Sequence, residues 1–464
     1  MILRENMTTE RAMPAPGWRE EHLIHLWRTQ RLLEGMVSTL AGESYRVVYP
    51  GRRNRDEGPD FQGAILANDK GGLINGDIEV HLRAQEWYGH GHHEDQRYSN
   101  VILHVVLWDH GQAAADLPGG GIAPTTALST AIGELPPEAI LGPPLPMALE
   151  PCSDTSKRMH VSWEVVLDRA GDDRFAARAD QLEGDLHMLP AQEVLFMGIM
   201  TALGYSRNAQ AFLQLAEQLP WEHIAGLVQG KQPQERAVHI QALMLGMARL
   251  LPSQRKPCGL AAEVDATAHM LEGLWSAYHL QEPEAAPEWH FFRVRPSNHP
   301  MRRIVGASYL LSRALEQGLI AFLLQAMQSG ENEGAWRSLE EALMVQVEGY
   351  WSRHWDFGKS FRGGALIGVD RAREIAINGV LPFFLAWSHK MSDTPLEERV
   401  WRIYRGYPAM GDNQIVREML RQLSLEDGVR IDTARRQQGL LHLYKSRCLG
   451  MRCQGCPFNR SENA

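Results

Sequence analysis

Three residues early in the chain have the types and spacing of a metal-dependent hydrolytic centre: Asp60 in the Gly58-Pro59-Asp60-Phe61 turn, and Glu79 and His81 in the run Gly76 to His81. On a strand alternate residues share a face, so Glu79 and His81 project together while Ile78 and Val80 point the other way. The Gly-Pro turn sets Asp60 at the start of the preceding strand, where a hairpin partner brings it beside Glu79. Two carboxylates at close range raise the pKa of one unless a cation lies between them. Mg²⁺ or Mn²⁺ meets that need, keeping waters for substrate phosphate oxygens and polarising a phosphoryl group. The expectation is a hard-cation site of Asp60, Glu79 and His81, with His81 as water-orienting base or further ligand. The competing reading is a turn acid and ordinary strand residues.

Other residues bear on the same chemistry. His90, His92, His93 and Asp95 lie on a glycine-bearing connection and read either as a solvated loop or as zinc or manganese ligands, without the helical spacing of a zinc protease motif. His104, inside an apolar run, reads as a core histidine or a ligand. Arg52 and Arg53, with Arg302 and Arg303 far along the chain, are candidate phosphate contacts, or else plain surface charge. Near the end, Cys448, Cys453 and Cys456 have gaps of four and two residues, which suit zinc or a [4Fe–4S] cluster. Three thiolates are one short of closure, and Cys152, Cys258 or His442 completes the set, Cys152 being the first choice. Gly358-Lys359-Ser360 fails as a phosphate loop because Arg353 stands where a glycine is required.

The elements that must position these residues follow from periodicity. Residues 19–41 place Leu23, Leu26, Trp27 and Leu33 at helical spacing. Strand patterns follow at Tyr45–Tyr49, Phe61–Ala67, Gly76–Leu82 and Val101–Trp108. The chain from 111 to 156 is broken by Pro and Gly and reads as a linker. Beyond it helical patterns dominate, among them Ala191–Leu203, Ala209–Leu219, Glu235–Leu251, Pro300–Gln328 and Gly368–Ser388. The expected organisation is a disordered tail (1–18), a mixed-sheet α/β module (19–110), the linker, and an all-helical region (157–464), an α+β core followed by an α region.

With 464 residues, more than one core is required. A net charge of −9 rules out a chain coated in positive charge, although a local basic groove still binds nucleic acid. No run approaches the roughly 20 apolar residues of a membrane span. Five cysteines with no secretory leader pattern make a reducing cytoplasm the expected compartment. Oligomeric state is not legible.

The order helix, strand, strand opening with Pro59-Asp60, strand bearing Glu79-Val80-His81, helix, strand resembles the core of the PD-(D/E)xK nuclease superfamily, and the 18 residues between Asp60 and Glu79 suit it. The departure is His81, where that superfamily usually has lysine. The resemblance implies divalent-metal-dependent cleavage of DNA or RNA at Asp60 and Glu79, joined by a first-helix glutamate, Glu21 or Glu34. Two alternatives stay open: a non-catalytic nucleic-acid or protein-binding scaffold on a degenerate core, and a zinc hydrolase of a non-nucleic substrate working through the histidines. Over nearly its whole length the chain also resembles the bacterial family called domain of unknown function 2851. The residues that carry this are Gly58 to Phe61, Gly76 to His81, Trp87 to His93, the strand around His104, Arg295 to Pro300 with Arg303, Tyr350 to Lys359, Ile377 to Pro382, and Arg447 to Cys456. That resemblance implies a shared architecture and supplies no activity.

Overall fold

Alternation of apolar residues over 36–127 builds one mixed sheet. In the computed structural model, residues 17–458 are described, apart from 31, 34, 55, 69–71, 110, 134, 138–161, 256–265, 284, 292–293, 330–333, 412, 424–430, 449–451 and 453–455. The chain divides into two compact units, Met1–Asp154 and Thr155–Ala464. The first holds a mixed sheet and the second is helical apart from one small hairpin, as the composition of the two halves leads one to expect.

In the first unit α1 (Glu20–Thr29) precedes β1 (Met36–Ser38), β2 (Ser44–Tyr49), β3 (Arg52–Arg53), β4 (Phe61–Asn68) and β5 (Leu73–Arg83). Then come α2 (Glu86–Gly89), a 3₁₀ turn at Gln96–Tyr98, β6 (Val101–Trp108), β7 (Ala114–Asp116), β8 (Ile122–Ala127) and α3 (Ser129–Ile132). The sheet order is β1-β2-β4-β5-β6-β8-β7, with β3 paired to β4. The strands from β1 to β5 are antiparallel to their neighbours, whereas β5–β6 and β6–β8 are parallel. One face packs on α1: Leu23, Leu26 and Trp27 join Ile78, Val80, Leu103, Val105 and Leu107, and the Trp27 Nε1–H donates to the Pro50 carbonyl at 2.9 Å. The other face is covered by Trp87 and Tyr98, packed with Val101, Ala115 and Ala123.

Three expectations are corrected here. The first helix stops at Thr29, not near residue 41, because Gln30 turns into the left-handed region and its side-chain amide donates to the Trp27 carbonyl, so 36–38 is released to pair with β2. The linker expected over 111–156 contributes β7, β8 and α3: residues 118–121 form the turn between the two strands, and Pro124 lies on β8 just before its pairing with β6 begins at Thr125. Trp18, placed in the tail, is buried in the α1 core; residues 1–16 and 138–161 lie outside the described residues.

The second unit runs α4 (Trp163–Met188), α5 (Ala191–Gln218), α6 (Trp221–Val228), α7 (Pro233–Met247), α8 (Ala266–Tyr278), α9 (Pro300–Ala314), α10 (Leu319–Ser329), α11 (Ala335–Leu343) and α12 (Tyr350–Arg353). A hairpin of β9 (His354–Asp356) and β10 (Lys359–Ser360) leads to α13 (Val369–Ile375), a π-helical segment (Ala376–Val380), α14 (Leu381–Met391), α15 (Thr394–Arg405), α16 (Gln414–Gln422), α17 (Ala434–Leu443) and a second π segment (Tyr444–Cys448). The long helix expected from Pro300 to Gln328 is two helices, parted at Gly318, whose φ is +83°. Helices α4 and α17 meet backbone to backbone: a Cβ on Gly171 would fall 2.2 Å from the Arg435 carbonyl oxygen, and one on Gly439 2.2 Å from that of Leu167. Arg435 and Arg436 tie the pair with ion pairs to Asp168 and Asp172.

Arg302 and Arg303, expected at phosphates, are buried in this unit and serve its backbone. Arg302 is 0% exposed and donates to the carbonyls of Trp351, His354, Gly364 and Ala365, and so fastens the segment around the hairpin. Arg303 donates to the Leu203 carbonyl at 2.6 Å, beside the kink at Tyr205 (φ 57°, ψ −144°) that interrupts α5. His299, also buried, is held between the rings of Phe291 and Trp355. Burial pushes its pKa down to about 4, with Arg255 and Lys359 adding to the fall and Asp356 opposing it.

Two outcomes follow. Gly439→Ala forces a methyl group onto a main-chain oxygen with no flexible side chain to yield, which costs about 2–3 kcal/mol and lowers the urea midpoint of the second unit. His299 titrates lower in the folded state than in the unfolded chain. Its contribution to stability is therefore complete above its ordinary pKa of about 6.5 and is lost as pH falls toward 4. Thermal unfolding followed between pH 7 and pH 4 will show a declining acid limb that is shallower in His299→Gln.

Candidate metal centre

The period of two along β5 puts Glu79 and His81 on the face opposite Ile78 and Val80, and the structure brings them together: His81 Nε2 lies 3.5 Å from Glu79 Oε1. Both are nearly dry, at 6% and 1% exposure. The parallel neighbour β6 sets His104 in register with Glu79, and its Nε2 is 2.9 Å from His81 Nδ1. The connection between β5 and β6 then folds back over the sheet. His92 Nε2 comes to 3.3 Å from Glu79 Oε1, and His90 Nδ1 to 3.2 Å from His81 Nε2. Tyr98 stacks on the His92 ring at 3.9 Å, and Trp87 packs against both His92 and His104. His90 is exposed, so solvent meets the cluster on that side.

Burial keeps the imidazoles of His81, His92 and His104 neutral. Burial, then the charges of His104, His92 and His90, pushes His81 down to about 2. Burial chiefly holds His92 at about 4 and His104 at about 3. Glu79 is driven the opposite way, well above the usual carboxylate range, first by burial and next by the charge of Asp60. Imidazoles that resist protonation present lone pairs to the cluster, and a buried Glu79 that resists ionisation would ionise beside a cation, so one bound ion answers both. His92 Nε2 supports this: it is buried and within ion-pair distance of Glu79, yet too poorly aligned for a hydrogen bond.

The donor set fits a transition metal. Donor atoms of His81, His90 and His92 all lie within 4.8 Å of one another, and the contacts of 3.2, 3.3 and 3.5 Å that join them to each other and to Glu79 match the roughly 3.3–3.4 Å between ligands in a tetrahedron of zinc bonds about 2.0–2.1 Å long. Imidazole nitrogens favour zinc, and one carboxylate among them also admits manganese. In the tautomer that a bound ion requires, His81 Nδ1–H donates to His104 Nε2 and His81 Nε2 presents its lone pair to the cluster, so that His104 fixes the ring orientation.

Asp60 sits differently from the expectation. Its backbone N–H donates to Glu79 Oε2 at 2.9 Å, but its carboxylate accepts from the Val80 N–H at 3.1 Å and pairs with Arg53. It supports Glu79 and β5. Arg53 also donates to the Asp60 carbonyl, and Arg52 donates to Gln62 Oε1 at 2.7 Å. On α1, Glu20 is the acid whose charge reaches Glu79; Glu21 is exposed, and Glu34 lies outside the described residues. His90 and His92 were legible only as alternatives, and their signal was a histidine-dense connection directly after a strand that already carried His81. His93 and Asp95 are near but turned elsewhere: Asp95 caps the 3₁₀ turn and binds Arg97. Of the cysteines, Cys448 lies 3.8 Å from the Met419 sulfur and Cys456 is buried, whereas Cys453, Cys152 and Cys258 lie outside the described residues.

Among the described residues no helix is long and apolar enough to cross a membrane. No curated protein and no solved structure matches the chain. A family model described as a protein of unknown function, DUF2851, matches residues 20–413, which takes in both the histidine-bearing sheet and most of the helical unit. The chain belongs to the DUF2851 family.

Proposed function

We propose that the first unit is a metal-dependent hydrolase that cleaves phosphodiester bonds in nucleic acid. The observation that carries this is the meeting of the Glu79 carboxylate and His81 imidazole of β5 with His92 of the β5–β6 connection, closed by His90. Glu79, His81, His90 and His92 hold the ion, and zinc or manganese suits them better than magnesium, which prefers an all-oxygen set. The bound ion supplies Lewis acidity at the phosphoryl group. His104 holds His81 in its donor tautomer, and Asp60, clamped by Arg53 and the Val80 N–H, fixes Glu79 through its own N–H. The helix–strand order around this group and the charge of Glu20 at the start of α1 support the nuclease reading over other hydrolases.

A second reading, a zinc hydrolase of a non-nucleic substrate, is favoured by one observation. Arg53 is paired with Asp60, and Arg302 and Arg303 bind backbone carbonyls, so these guanidinium groups already have partners.

Purified protein is expected to hold close to one equivalent of zinc or manganese assignable to this centre. His92→Ala and Glu79→Gln lose it, and His104→Phe weakens affinity by about 10- to 100-fold. Circular dichroism of each variant checks that the sheet survives. Cleavage of a panel of single-stranded DNA, duplex DNA and RNA should fall by at least about 100-fold in Glu79→Gln. Metal loss in the variants with hydrolysis confined to small ester substrates selects the second reading. Unaltered metal content in both His92→Ala and Glu79→Gln removes the centre altogether.

A further inference from the structure

The second unit contains a recess whose charge is not balanced within it. It has about 190 Å³ of atom-free space, part of it open to solvent, and is lined by Arg174, Phe175 and Arg178 of α4, Ile377 and Asn378 of the first π segment, Tyr404 of α15 and Gln438 of α17. Arg174 and Arg178 are four residues apart and so share one face of α4, where like charges repel. Arg174 Nε donates to Gln438 Oε1 at 2.5 Å, a neutral partner. Arg178 has neither a hydrogen bond nor an ion pair among the described residues, although it is half-buried. The carboxylate that acts on Arg174 is Glu374, and that same carboxylate also faces Arg303 and Arg371 and takes a hydrogen bond from Asn378. Arg371 in turn keeps a buried guanidinium nitrogen without a partner. Lys445, on the second π segment, lies within electrostatic reach of both Arg174 and Arg178.

Guanidinium groups elsewhere in this unit show what a satisfied one looks like: Arg302 has four carbonyl contacts, and Arg435 has two carboxylates. The recess lacks equivalents. Burial lowers the pKa of both Arg174 and Arg178, and for Arg178 the neighbouring charge of Arg174 adds to the effect with no acid opposing it. The neutral groups of the lining are already engaged, Asn378 with Glu374, the Tyr404 hydroxyl with the Gly171 carbonyl and Gln438 with Arg174, so the guanidinium groups are what the recess offers an oxyanion. The first π segment lines the site through Ile377 and Asn378, and π bulges in helices are frequent at functional sites.

We infer that this recess binds the phosphoryl group of a phosphate monoester, held between the guanidinium forks of Arg174 and Arg178. The charge of such a group near neutral pH, about −1.5 to −2, balances two guanidinium ions, and its three oxygens accept from two forks at once. Its enclosed part has room for about one water, so the phosphoryl head seats at the open mouth, against the two guanidinium forks, and the esterified body stays outside. The site lies wholly within the second unit and does not depend on the metal centre.

Calorimetric titration of the full chain at constant ionic strength tests this with three ligands: inorganic phosphate, a nucleoside 5′-monophosphate and a phosphoserine peptide. Saturable binding of phosphate is expected, with either ester binding more tightly and so identifying the body attached to the head. Arg178→Gln should weaken binding of all three at least about tenfold, the worth of one charge-assisted contact, and Arg178→Lys should recover part of it. Because Arg178 has no partner to lose, Arg178→Gln should unfold without ligand at the same temperature as the parent or a higher one. The inference is overturned if the parent shows no saturable response to any of the three, or if Arg178→Gln titrates like the parent.

Discussion

A carboxylate with hardly any water around it must either give up its charge or be given a cation, and the first unit is built around one that has been placed in that position. Glu79 is set there by the alternation of β5, which sends Ile78 and Val80 into the α1 core and so commits its neighbours to the opposite face. Once that face is covered by Trp87 and Tyr98, the groups able to answer Glu79 are the histidines of the covering segment and the backbone N–H of Asp60. Burial moves acid and imidazoles toward their neutral forms: the imidazoles keep lone pairs able to bind a cation, and a cation's charge would let Glu79 ionise. The donor spacing of a four-coordinate ion is thus the arrangement that removes an electrostatic conflict already present in the protein.

The helical unit handles buried charge by another route. Where a helix is interrupted, carbonyls are left over, and arginines are brought in to meet them: Arg303 at the α5 kink, Arg302 across the hairpin segment. These side chains behave as long-reach backbone donors, which accounts for positive charge in a core that has few acids to pair with it. Arg178 has no such carbonyl. The contrast between arginines in one core, some enclosed by acceptors and one facing open space, separates architectural from ligand-directed positive charge.

Strands β2, β4, β5 and β6 were readable because their apolar residues declare a buried face, and Glu79 and His81 stand on one of them with Asp60 directly before another. What the sequence hid were features that depend on partners distant in the chain. The end of α1 was invisible because Gln30 and Leu32 adopt positive φ without a glycine to advertise it. Strands β7 and β8 were masked by the Pro and Gly of the turn between them and by Pro124, which precedes the pairing of β8 with β6. In the centre itself, the pairing of Glu79 with His81 followed from periodicity, whereas the arrival of His90 and His92 depends on how a connection folds over a sheet, which no local pattern encodes. The contacts of Asp60 were hidden for the same reason: its carboxylate accepts from a main-chain N–H and pairs with Arg53, both of them matters of register.

The parallel pairing of β5 with β6 has one more consequence. Two parallel neighbours cannot be joined by a tight turn, so the chain must leave one end of β5, cross the sheet and re-enter at the other. The histidine-bearing residues are that return path, anchored by a strand at each end. They therefore differ in kind from a flap on a hinge: lifting them far from Glu79 would pull on the hydrogen-bonded ladder of the sheet. Any visitor to the centre must be small or slender enough to enter past His90, or else must arrive at the cost of loosening the fold itself.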